Sequence, residues 1–281
     1  MGAAQGRIAL VTGGTSGIGQ AVATGLAREG ATVVLLARDP GRAAAAQSEI
    51  LRQVPGASVE ILEGDLASLA SLRAAAARLT GRHPAINVAV FSAGIFAKER
   101  SETVDHIERT FQVNYLGHFL LANLLAGALA RGAPSRVVFV ASRYGRAKIP
   151  FDDLMVTRRK FTVLNSVPTT KLAEVLLAQE LAERWAPQGV LVNAIHPGLV
   201  ARTHLLAEVG GMWRLLTNLF GGTPAKGADT AVWLATSPEA GRATGQLWAK
   251  RKPLPTPGDG SDPAVRKKLW TVSAQLAGVP P

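Results

Sequence analysis

Short β-branched and aliphatic runs alternate with longer Ala- and Leu-rich runs through the first two-thirds of the chain. RIALVT (7–12), TVVLLA (32–37), SVEILEGD (58–65), RVVFVAS (136–142) and VLVNAI (190–195) read as strands, and INVAVFSAG (86–94) as a strand with its following loop. Most are near-continuous apolar runs, as expected of strands covered by helices on both faces. IGQAVATGLAREG (18–30), a stretch reaching to about Gln53, and LASLRAAAARL (69–79) read as helices, the first ending at a glycine. Strict alternation of the two patterns requires right-handed crossovers and a parallel sheet. The expected fold class is therefore α/β: a single-domain Rossmann fold with a doubly wound parallel β-sheet flanked by helices. No Pro/Gly-rich linker or repeat divides residues 1–281, which read as one domain. Such sheets bind ligands at the carboxyl ends of their strands. The apolar segment HLLAEVGGMWRLLTNLFGG (204–222) falls outside the rhythm. Two readings of it stay open: a lid over an apolar substrate, and helices packed on the body.

Composition narrows the chemistry. With 47% hydrophobic residues among 281, the chain can bury a sizeable core. It has no cysteine, which excludes disulfides, thiolate chemistry and Cys-based zinc sites. The five histidines (His83, His106, His118, His196, His204) lack metal-ligand spacing, so no metal is expected. The net charge of +11 includes basic clusters at 158–160, 250–252 and 266–268. They are far apart and lack interleaved aromatics, so they read as a basic surface and no nucleic-acid partner is expected. The N-terminus runs straight into a strand, without the pattern of a signal peptide. No uncharged apolar run of membrane-spanning length is read, so no membrane span is expected and the location is read as cytoplasmic.

TGGTSGIG (12–19) follows the first strand and opens the first helix. Gly13 allows a tight turn, Gly17 a close backbone approach and Gly19 close helix packing. The helix N-terminus offers N–H groups and a positive dipole end to a diphosphate. This loop resembles the TGxxxGxG loop of the short-chain dehydrogenase/reductase family, and the resemblance extends over nearly the whole chain. It implies cofactor contacts from Gly13, Thr15, Ser16, Gly17, Ile18 and Gly19. GDL (64–66) resembles the family's adenine-contacting segment, which implies Asp65 and Leu66. FSAG (91–94) stands where the family has NNAG, implying Ala93 and Gly94. QVNYLGHFLL (112–121) implies the active-site Asn114, RVVFVAS the substrate-orienting Ser142, and HPGLV (196–200) a nicotinamide loop with Pro197, Gly198 and Val200. VNYLGHFLL, IPFDDL, KLAEVLLAQELA and KKLWTVSAQLAG are more narrowly similar to the retinol dehydrogenase and protochlorophyllide reductase-like branch. Many relatives pair through the helices after Asn114 and Lys171, so a homo-oligomer (dimer or tetramer) is admitted, as is a monomer.

The second strand ends in LLARD. NAD-preferring Rossmann proteins place a carboxylate there, whereas this chain has Ala37 followed by Arg38. A guanidinium pairs with a 2′-phosphate through charge-assisted bonds, so the expected cofactor is NADP(H). Asp39 is the counter-argument, and the following Pro-Gly-Arg reads it as a helix cap.

The family keeps a tyrosine four residues before its active-site lysine. In NSVPTTK (165–171) the lysine is Lys171, which the resemblance also implies as a cofactor contact on the nicotinamide ribose, and the tyrosine position holds Val167. Valine neither donates nor accepts a proton, and losing a general acid costs about 10²–10⁴ in rate. Because proline is best tolerated in a helix's first turn, Pro168 predicts a helix starting at Asn165 or Ser166, with Val167 biased from helical angles. Substitute donors are Ser142, Lys171, a water and Tyr144, although a tyrosine in that loop is more often a pocket wall. The expected function is an NADP(H)-dependent oxidoreductase acting on a small lipophilic or aromatic substrate, with a non-standard donor and with C=N or C=C reduction open. A non-redox cyclase or isomerase, and a nucleotide-binding pseudoenzyme or partner subunit, are the alternatives.

Overall fold

The computed structural model describes residues 2–144, 147–198 and 222–280. Almost all of the 204–222 segment, together with Val200, lies outside the described residues.

Eight strands form one sheet in the order β3-β2-β1-β4-β5-β6-β7-β8. They are β1 (Ile8–Thr12), β2 (Thr32–Ala37), β3 (Val59–Glu63), β4 (Val88–Phe91), β5 (Ser135–Val140), β6 (Val190–Ile195), β7 (Leu247–Ala249) and β8 (Lys252–Leu254). All neighbours pair in parallel except β7 and β8, which are antiparallel. The expected parallel sheet is found over β1–β6, and two strands not read from the sequence extend it at one edge. Its last two strands have three residues each, too short for a hydrophobic period to reveal.

Among the described residues the helices are α1 (Gly17–Arg28), α2 (Pro40–Gln53), α3 (Leu69–Arg82), α4 (Arg109–Phe111), α5 (Gly117–Arg131), α6 (Val163–Trp185), α7 (Pro224–Thr236) and α8 (Pro263–Ala277). Successive strand residues point to opposite faces, so each strand feeds two cores. Leu10, Val34, Phe91, Val137 and Phe139 pack with α3, α5, α6 and α8. Ala9, Val11, Val33, Leu35, Val90 and Val138 pack with α1, α2 and α7.

A π turn (Gln112–Leu116) joins α4 to α5. The resulting helix, Arg109–Arg131, is long and apolar enough by length and composition to cross a membrane. This corrects the expectation that no such run exists. Its apolar window is 72% buried inside the domain, as a central helix of a two-core sheet must be.

On the outer side of α5 and α6 lies α8. The Tyr115 hydroxyl meets Ser273 Oγ at 2.8 Å, and Phe119 sits edge-on to Trp270 at 4.9 Å between centroids. The Arg184 guanidinium covers the same indole at 3.9 Å, and Arg266 pairs with Glu180 at 2.8 Å.

Candidate active site

The strand order reverses direction between β1 and β4, the place where a doubly wound sheet opens a crevice. Gly13 turns out of β1 with φ +67°, and a Cβ there would stand 2.7 Å from the Ala93 Cα. A Cβ at Gly19 would stand 2.2 Å from the Gly13 carbonyl oxygen. Glycine is thus required at both positions, and at Gly17 a φ of +55° adds a left-handed step where α1 begins. The Ser16 N-cap has extended angles and no side-chain cap bond, so the first N–H groups of α1 remain available to an anion. Thr15, Ser16 and Ile18 are half-buried in this loop. The turn is a cradle that side chains would fill, and it fits the diphosphate of a dinucleotide.

Arg38 is exposed at the carboxyl end of β2. Asp39 is the N-cap of α2, its Oδ1 accepting from Arg42 N at 2.9 Å, so the carboxylate beside Arg38 is engaged in capping. Asp65 is half-buried after β3, with Oδ1 accepting from Ala67 N, and Leu66 is buried.

The floor of the crevice is a set of polar groups from distant segments. Buried Thr12 Oγ1 accepts from Ser92 N at 3.0 Å and Ala93 N at 3.1 Å, tying the loop after β4 to β1. Asn114 sits within the π turn and clamps the same loop: its Oδ1 accepts from Ile95 N at 2.7 Å, and its Nδ2 donates to Ile95 O at 3.0 Å. A Cβ on Gly94 would be 3.4 Å from Asn114 Oδ1 and 3.8 Å from Lys171 Nζ. Lys171 Nζ donates to Val140 O at 2.8 Å and to Glu174 Oε2 at 2.7 Å. Ser142 is half-buried two residues beyond that carbonyl. Asn114, Gly94, Lys171 and the β5 end that carries Ser142 therefore converge.

Tyr144 lies further along the loop after β5 and is 36% exposed. Burial pushes its phenol pKa up, which keeps the hydroxyl protonated. Tyr115, the other tyrosine, is fully buried against Ser273 and faces α8. Pro197 and Gly198 follow β6, Gly198 with φ +77°. Arg143 N donates to His196 Nδ1 at 3.4 Å, linking this turn to the Ser142 loop.

The start of α6 departs from expectation. The helix begins at Val163, with Thr162 as N-cap, and Asn165 Oδ1 accepts from Thr162 N at 3.0 Å. Pro168 is the sixth helical residue, beyond the first turn. The capping bond and the bond from Ser166 Oγ to Thr162 O at 3.0 Å build a turn upstream of the proline. Leu164, whose carbonyl loses its helical donor to the proline ring, is 85% exposed and has solvent at hand. Val167 is therefore helical, 1% exposed and one turn before Lys171 on a regular helix. The approach to α6 is held by Asp153, which accepts from the backbone N–H groups of Thr157, Arg158 and Arg159. Burial alone would raise its pKa; these bonds outweigh it and hold the carboxyl at about 2.

Three residues of the cluster have no counterpart among the expected site residues. They are Thr12, His118 and Glu174, all fully buried. His118 Nε2 lies 3.0 Å from Thr12 Oγ1, and its Nδ1 lies 3.2 Å from Asn114 O and 3.4 Å from Glu174 Oε1. A sequence signal existed: His118 interrupts LGHFLL and Glu174 interrupts KLAEVLLA, each a polar group in an apolar run. Among the described residues no group of acidic or histidine side chains could hold a metal ion.

The family profile described as short chain dehydrogenase matches residues 7–212. Human retinol dehydrogenase 14 is 36% identical over 297 residues, covering 99% of this chain and 88% of the relative. A protein of Streptomyces sp. (strain C5), provisionally named daunorubicin C-13 ketoreductase DnrU, is 38% identical over 278 residues, covering 99% of this chain and 94% of its own. Among solved structures, the Pseudomonas aeruginosa RhlG/NADP active-site complex superposes with a TM-score of 0.70 at 25% identity, covering 86% of this chain and 94% of the other. The family match over most of the chain and these full-length relatives place the protein in the short-chain dehydrogenase/reductase family, akin to its retinol dehydrogenase-like members.

Proposed function

We propose that the protein is an NADP(H)-dependent oxidoreductase that acts on a small lipophilic or aromatic substrate, and that its proton donor is not a tyrosine one turn before Lys171. The observation that carries this reading is the convergence of Lys171, Asn114 and Gly94 behind the glycine turn at the sheet's switch point. A nicotinamide dinucleotide bound there supplies or accepts a hydride. The chain's own residues do the rest. Gly13, Gly17 and the α1 N-terminus receive the diphosphate; Asp65 and Leu66 flank the adenine; Arg38 pairs with a 2′-phosphate. Ala93, Gly94, Pro197 and Gly198 border the nicotinamide, and Ser142 holds the substrate heteroatom.

The relatives support the substrate class, since one is named for retinol and the other for a daunorubicin ketone. Solved neighbours bound to NADP, the RhlG complex among them, support the phosphate-bearing cofactor. A second reading, a nucleotide-binding protein or a non-redox enzyme using the same cleft, draws on buried Val167, which leaves no hydroxyl at that helical position.

Turnover with NADPH deuterated at the transferable position, against ketones, enones and imines, separates the readings. Deuterium in the product shows hydride transfer and marks the bond reduced. Product formed without NADPH oxidation, or no product with tight NADPH binding, favours the second reading.

A further inference from the structure

Glu174 is fully buried, and a carboxylate taken out of water is costly unless it is paired. Its Oε2 receives an N–H of Lys171 at 2.7 Å, and its Oε1 lies 3.4 Å from His118 Nδ1. The tautomer of that histidine follows from the hydrogen-bond inventory. Thr12 Oγ1 already accepts two backbone N–H groups, so its own proton points to His118 Nε2 at 3.0 Å. The ring proton is then on Nδ1 and is given to Asn114 O at 3.2 Å, while Glu174 Oε1 stands 3.4 Å away with no hydrogen bond of its own. Glu174 is thus set between a fixed imidazole and the lysine.

Lys171 has three N–H groups, and two are committed, to Val140 O and to Glu174. The third is left for the side of Gly94, where even an added Cβ would stay 3.8 Å from Nζ. The ammonium is anchored at two points and keeps one proton at the lip of the crevice. Val167, one turn earlier on the same helix, places no phenol between it and a substrate.

We propose that Lys171 is the proton donor of this site and that Glu174 and His118 are positioning residues that hold and aim its ammonium. The inference rests on the oxidoreductase reading above. In carbonyl reduction the substrate carbon accepts a hydride from the reduced nicotinamide dinucleotide, and the C=O π pair moves to oxygen. The oxygen takes a proton from Lys171 Nζ, and the N–H electron pair stays on nitrogen. The neutral amine recovers its proton from solvent, which reaches the 11% exposed side chain. The substrate gains two electrons and the dinucleotide loses two.

Two measurements on the full-length protein test this. The first needs no turnover: reductive methylation with formaldehyde and a borane, read by peptide mapping. Glu174→Gln should raise labelling of Lys171 by about tenfold, the effect of removing an adjacent opposite charge, with Lys250 and Lys267 unchanged. Glu174→Asp, kept in case the glutamine variant unfolds, should give an intermediate rate. Equal labelling of Lys171 in wild type and variants overturns the role of Glu174.

The second is steady-state reduction by Lys171→Arg, which keeps the charge and does not release a proton. At saturating NADPH its kcat should fall by about 10²–10⁴, and the solvent deuterium isotope effect on kcat should grow in Glu174→Gln. An unchanged kcat in Lys171→Arg overturns the donor assignment. A wild-type protein that transfers no deuteride from labelled NADPH removes the oxidoreductase reading, and the donor with it. The labelling result on Glu174 is decided independently.

Discussion

Asn114 holds Ile95 by both of its backbone groups, accepting from Ile95 N at 2.7 Å and donating to Ile95 O at 3.0 Å. The side chain emerges from the π turn, and the loop it grips carries Ala93 and Gly94. A helix irregularity is thereby converted into a fixed wall of the crevice. Asn114→Ala leaves both Ile95 groups without these partners and should destabilise the protein by about 1–3 kcal/mol. It should also weaken NADPH binding. Thermal unfolding and a fluorescence titration check the two effects; an unchanged affinity would separate the clamp from the cofactor site.

Arg38 is exposed and its neighbour Asp39 is engaged as a helix cap. Arg38→Ala should lower the preference for NADPH over NADH by about 10- to 100-fold, the worth of one or two charge-assisted hydrogen bonds. Asp39→Ala should instead act on stability, by about 0.5–2 kcal/mol for a lost N-cap. Equal wild-type affinities for the two cofactors would remove the phosphate-pairing role of Arg38.

Val167 and Lys171 are one turn apart on α6, which continues through Pro168, so a phenol introduced at 167 is carried on the face that bears the lysine. Val167→Tyr should raise ketone reduction by up to about 10²–10⁴. Because Val167 is 1% exposed, the larger side chain should also cost about 1–3 kcal/mol of stability. Parallel turnover and denaturation measurements would show a gain in rate with a loss in midpoint. A loss of both would mean that the buried site rejects the ring.

Pro168 interrupts the hydrogen-bond ladder at the sixth residue of α6. Pro168→Ala restores the bond to Leu164 O but gives the unfolded chain more freedom. The net stabilisation should be about 1–2 kcal/mol, below the full proline penalty of about 3 kcal/mol. A rise in Tm with cofactor affinity unchanged would assign the proline a cost in stability alone.

Trp270 is buried between Phe119 and Arg184, where α8 covers α5 and α6. The family resemblance implies pairing through these two helices, and here α8 lies over them. Sedimentation should show a monomer. Trp270→Ala should destabilise by about 3–5 kcal/mol and expose an apolar face that self-associates. A wild-type dimer that survives this substitution would place the interface elsewhere.

The six strands of the doubly wound core were legible because a short, near-continuous run of β-branched and aliphatic residues is a local property of each segment. The glycine turn was legible for a related reason: positive φ at Gly13 and Gly17 and the contact at Gly19 demand the absence of a side chain. The sequence thus determined the α/β class and the position of the crevice. Other features depended on competition or on distance. Pro168 signalled a helix start that the Thr162–Asn165 cap moved upstream, since a capped turn outweighs one missing bond. The β7–β8 hairpin was too short to show a pattern. Thr12 and His118 meet across 106 positions of sequence, and Glu174 joins them from a third segment. Only tertiary packing brings such polar groups together in the interior, and burial then forces each to find a partner.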